Sequence, residues 1–134
     1  MIANFRCLIL ACLVSCLFAL GCGGPEKTQP SYKAFQPLED IATMLKARQE
    51  QKKKPPAKVQ DLAPYEPVGP VGFHALLSGQ CVLEFGVSLT NDPSTSVIAY
   101  EKAVPTTGGY VLLQDGTVKQ MTAPEFAAAP KAKK

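Results

Sequence analysis

The sequence has no tryptophan, a single histidine (His74) and only 7% aromatic residues. That composition lacks the stacking platforms on which single-stranded nucleic acid is held. One histidine and no closely spaced cysteine pair beyond the apolar start leave a zinc site short of ligands. No phosphate-cradling Gly-rich loop, nucleophile elbow or EF-hand loop is present. Charge of one sign is also scarce: 14 Lys+Arg stand against 11 Asp+Glu. Past residue 21 the balance is 13 to 11, too even to imply nucleic acid or an acidic substrate. Long apolar runs are missing as well. The one candidate, residues 7–20, has 14 residues, short of the roughly 18 that a membrane span needs. No cofactor, metal or small-molecule substrate is evident, and the expectation is a protein that is not an enzyme.

What is present begins with an address. Arg6 precedes the apolar run, and Gly21-Cys22-Gly23-Gly24 follows it. A basic start, an apolar middle and a small-residue end make a secretory signal peptide. Ala19-Leu20-Gly21-Cys22 resembles the lipobox of bacterial lipoproteins, with Ala19 where that family usually has Leu. The resemblance implies cleavage before Cys22, acylation of its sulfur and a membrane as partner. Leu13-Val14-Ser15-Cys16 fits the motif as well. Cutting there would leave Leu17–Leu20 on the mature chain and shorten the apolar core to about the minimum, which is roughly seven residues, so Cys22 is the expected site. An ordinary secreted protein with a free or disulfide-bonded Cys22 is the alternative. Gly23 stands where some inner-membrane lipoproteins carry Asp, which points to the outer membrane. The expected location is the cell envelope, facing the periplasm or the exterior.

Residues 1–21 then form the signal peptide, and 22–36 the lipidated cysteine and a flexible tether rich in Gly, Pro and Ser. A helix is expected from Pro37, with Leu38, Ile41, Ala42 and Leu45 on one face. Glu39-Asp40 at its start and Lys52-Lys53-Lys54 at its end suit its dipole, without need of a catalytic carboxylate pair or an anionic lipid. Pro55, Pro56, Pro64, Pro67 and Pro70 predict an extended, turn-rich connection over 55–72, with one helical turn at Val59–Leu62. Strands are expected at Gln80–Val87, at Val97–Glu101 and on either side of Asp115-Gly116. A two-residue loop there would pair Leu113 with Val118 and Leu112 with Lys119, with Leu113, Val118 and Val111 under the helix. Thr122 and Glu125 form a capping box, and 128–134 is expected to be a disordered tail. The fold class is α+β, an amphipathic helix packed on a small antiparallel sheet.

Ala57–Tyr65 after the helix, and Gly108-Gly109 leading through Asp115-Gly116 to Val118, resemble segments of type IV pilin-like and type II secretion pseudopilin domains. The likeness spans roughly residues 37–127 and implies a pilin-like globular domain. It makes another envelope or secretion protein a candidate partner, and an accessory part of a type II secretion or pilus-like machine a candidate role. The prepilin peptidase site and apolar stalk helix of true pilins are absent. Pro105 stands where some relatives have His.

One catalytic arrangement can be written: Cys81 as nucleophile, His74 as base and Glu84 as the acid. The plainer reading makes Cys81 a small buried residue of a strand and His74 a surface or turn residue. The leading expectation is an anchored lipoprotein with a structural or protein-interaction domain.

Overall fold

The computed structural model describes residues 33–134. The expected signal peptide, Cys16, Cys22 and most of the tether lie outside them. Helix α1 spans Gln36–Glu50, with Pro37 in its first turn. Leu38, Ile41, Met44 and Leu45 are buried on one stripe, the spacing of an amphipathic helix. Arg48 secures its far end: Nε donates to Lys54 O at 2.7 Å and a terminal guanidinium nitrogen donates to Asp61 O at 2.8 Å.

The proline-rich connection is helical, not extended. Val59–Val68 is a 3₁₀ helix that contains Pro64 and Pro67, and Pro70–Leu77 is helix α2. The φ to which proline is locked is a helical one. Pro70 occupies the first position of α2, where no backbone donor is needed. Leu62 and Tyr65, three apart, turn inward from the 3₁₀ helix. His74 therefore lies on a helix and not in a turn.

Helix α2 lies hard against α1. A Cβ on Gly72 would sit 2.5 Å from Pro37 O and 2.8 Å from Ile41 N. Asp40 joins the two helices. Its Oδ2 accepts from Val71 N at 2.9 Å and Gly72 N at 3.1 Å, and Gln36 Nε2 donates to Oδ1 at 2.8 Å. Asp40 is buried, so its carboxylate serves the start of α2 as much as the first turn of its own helix.

Four strands follow: β1 (Cys81–Leu83), β2 (Val97–Glu101), β3 (Gly109–Leu113) and β4 (Val118–Met121). They form one antiparallel sheet in the order β1-β2-β3-β4. The first strand is much shorter than the expected Gln80–Val87. Between β2 and β3 lies a short helix, α3 (Val104–Thr107), in place of a plain loop. The register skips from Val97 to Ala99 opposite Leu113 and Leu112. Ile98 is the extra residue of a β-bulge, and it and Ala99 both join the core beside α1.

The hairpin register differs by one residue from the expected one. Leu112 pairs with Val118 and Val111 with Lys119. Gly116 N bonds Leu113 O at 3.0 Å, and Leu113 N bonds Thr117 O at 2.9 Å. The loop thus holds Gln114, Asp115 and Gly116, the last with φ 86°. Such a three-residue loop, with glycine in the left-handed position, is the next most favoured hairpin connection. A one-residue slip exchanges the faces. Tyr110, Leu112 and Val118 face α1, while Val111, Leu113 and Met121 face the other way.

That second face is also covered. Helix α4 (Ala123–Ala128) brings Phe126 against Val97, Val104, Val111, Leu113 and Met121. Its capping box is formed: Thr122 N donates to Glu125 Oε2 at 2.7 Å, and Glu125 N donates to Thr122 Oγ1 at 3.4 Å. The tail is bound to the sheet where disorder is expected from its composition. Val97 N donates to Pro130 O at 2.8 Å, and Ala132 N donates to Val97 O at 3.1 Å. Strand β1 ends too early to occupy those groups, and the tail takes its place. Lys131 Nζ stands 3.7 Å from the Phe126 ring centroid and donates to Phe126 O at 2.7 Å.

Candidate functional site

The largest groove among the described pockets, about 490 Å³, runs between α1, the loop at Leu89–Asn91 and the hairpin tip. Thr43, Lys46 and Glu50 of α1 form one wall, and Leu89, Asn91 and Asp115 lie across from them. Residues 43, 46 and 50 fall on one side of a helix with a period of 3.6. The three-residue loop bends Asp115-Gly116 toward them. Lys46 and Glu50 carry opposite charge, so the groove does not select ligands of one sign.

Asp115 is committed to structure. Oδ1 accepts from Thr117 N at 2.9 Å and Oδ2 from Ser94 N at 3.2 Å. The Thr117 bond, ahead of the others, holds its carboxyl below the usual range. Asp61 is held down likewise by the Ala57 N–H, and Glu125 by that of Thr122. These three carboxylates close turns or cap helices. Among the described residues, no group of three His, Cys, Asp or Glu could hold a metal ion. The groove presents hydrogen-bonding side chains around Leu89 and Ala42.

The sequence-derived catalytic set is dispersed. Cys81 is buried in the core beside α1. His74 is exposed on α2, with Nε2 3.8 Å from Glu66 Oε1. The Glu84 charge acts on Lys131 and on Tyr100, which packs on the opposite core. Burial, then the nearby Glu101 charge, pushes the Cys81 thiol up from 9.0 to about 11. A cysteine nucleophile requires the reverse, a thiolate favoured near neutral pH.

The same shift makes a measurable prediction. Below pH 9 the thiol is protonated whether the chain is folded or unfolded. Between 9 and about 11 the unfolded chain releases the proton first, so stability falls as pH rises. The expected loss by pH 11 is about 2 kcal/mol. The fall between pH 8 and 11, measured by urea melts, should be smaller in Cys81→Ala than in wild type by about that amount. At pH 8 a thiol reagent should modify Cys81 only as fast as the domain unfolds.

Compared with protein-family models, with curated proteins and with solved structures, the chain finds no match. The likeness to pilin-like domains therefore stands on the residues of this chain alone.

Sequence reasoning missed one surface. Val68, Val71 and Leu77 are exposed at 52%, 36% and 51%, all on the 3₁₀ helix and α2. Their signal was the alternation Pro67-Val68-Gly69-Pro70-Val71-Gly72, which reads as a linker until the glycines are seen to admit α1. Gly69 and Gly72 both face α1, and the valines beside them are left outward.

Proposed function

We propose that the chain is an envelope lipoprotein, anchored through acylated Cys22, whose α+β domain is a non-catalytic structural or protein-interaction module of pilin-like form. The observation that carries the reading is Ala19-Leu20-Gly21-Cys22 at the end of an apolar run, with a polar segment leading from it to α1. No helix among the described residues is long and apolar enough to cross a membrane. Anchoring in this reading rests on the acyl chains of Cys22, and two or three are needed for stable attachment. The groove beside the hairpin is the candidate contact surface of the domain.

A clickable fatty acid fed to producing cells should label wild type and not Cys22→Ala, and the variant should leave the membrane fraction. Equal labelling of the two would overturn the anchor at Cys22. Loss of label in Cys16→Ala alone would move it to Cys16.

A second reading, an accessory part of a type II secretion or pilus-like machine, is favoured by α1 lying on an antiparallel sheet whose hairpin follows Gly108-Gly109. Crosslinking in intact envelopes separates the two. Recovery of a secretion component supports the machine, and its absence from every crosslinked product counts against it.

A further inference from the structure

We propose that Val68, Val71 and Leu77 form the face on which the domain rests against the bilayer. This inference depends on the acylation of Cys22 proposed above.

These three side chains are the large apolar residues exposed at 36% or more among those described; Val68 ends the 3₁₀ helix, and Val71 and Leu77 lie on α2 that follows it. Val71, His74 and Leu77 are three apart, so each is turned about 60° from the last around the outer side of α2. Exposed Pro67 and Pro70 extend the apolar surface beside Val68. The titratable groups on this arc are His74 and its neighbour Glu66, so no block of like charge keeps headgroups away. A polar tip amid apolar bodies suits the headgroup level of a membrane.

The tether decides the occupant. Lys33 lies 11 positions after Cys22, a stretch that spans at most about 40 Å when extended. The domain is thus confined close to the membrane that holds its acyl chains. Val71, one of the three, lies near the end where that tether enters. Val71 N bonds Asp40 in the second turn of α1, and Gly72 lies against Pro37 in the first. A weak apolar face suffices under such confinement, because a short link raises the effective concentration of its surface to about the millimolar range. The face carries no tryptophan, tyrosine or arginine, the residues that dominate tight protein interfaces.

Since the chain lacks tryptophan, each of three variants carries one indole probe. Leu77→Trp and Val68→Trp lie on the face. Lys119→Trp is exposed on the opposite side of the sheet. The acylated full-length variants are reconstituted in phosphatidylethanolamine–phosphatidylglycerol vesicles whose lipids carry bromine high in the acyl chain. Vesicle flotation is measured on the same samples. The expected result is flotation of all three, with Leu77→Trp and Val68→Trp losing about half their emission to the quencher, as for a face buried roughly 5–10 Å deep. Lys119→Trp should be unaffected. Flotation with equal emission from all three variants overturns the inference and leaves the anchor standing. Failure to float overturns both. A blue shift of Leu77→Trp that grows with protein concentration in Cys22→Ala, without lipid, assigns the face to a second copy and overturns the inference.

Discussion

Replacing Gly72 with valine is expected to remove about 3 kcal/mol of stability, read as a lower urea midpoint at unchanged slope. Gly72 has ordinary helical φ, and a glycine inside a helix costs roughly 0.5–1 kcal/mol relative to alanine. On propensity alone, a side chain here would be a gain. Space reverses the sign. The added Cβ would meet Pro37 O at 2.5 Å and Ile41 N at 2.8 Å. Both are backbone atoms of α1, so no side chain can rotate away and the two helices must separate. Separation would also lengthen the bonds from Val71 and Gly72 to the Asp40 carboxylate. A domain of this size has only about 5–15 kcal/mol of stability in total, so the loss is a large share. Gly79→Ala is the matched control. That position has φ 71° and nothing within 4 Å, and conformational strain alone predicts a loss of about 1 kcal/mol.

Leu112→Ala is expected to cost about 3–4 kcal/mol, within the range for removing a fully buried leucine. The informative part is which helix loosens. Leu112 lies in the core beside α1, and Leu113 lies beside α4. Native-state hydrogen exchange should show lost protection in α1 for Leu112→Ala and in α4 for Leu113→Ala. The reverse pattern would restore the two-residue hairpin and its opposite facing.

That contrast marks how far the residues could be read in advance. The α+β class, α1, the span of β2, the site of the hairpin turn and the capping box of α4 follow from local signals: periodicity, Asp-Gly and Thr-x-x-Glu. The hairpin faces do not, because Leu112 and Leu113 are adjacent and equally apolar. Only the loop length separates the two registers, and Asp-Gly suits a loop of two residues or of three. Helix α2 was concealed by Pro67, Gly69, Pro70 and Gly72, which signal breaks locally but serve close packing on α1. The ordered tail depends on a partner far along the chain, the free edge of Val97, that no local pattern shows. Of the candidate site, the turn role of Asp115 was readable. The groove was not, since it exists only once α1 and the hairpin tip are brought side by side.

The strand order β1-β2-β3-β4 also bears on how the chain acquires its shape. Every strand pairs with its neighbour in sequence, so each ladder can close without waiting for a distant segment. Short loop closures of this kind favour fast folding. The bridge from Val97 to Lys131 is the exception, spanning 34 positions. It should close late, after the hairpin and α4 have formed, and open first when the domain is strained. Pairing of a foreign strand with Val97 is then open only in that brief interval, before the chain's own end covers the edge.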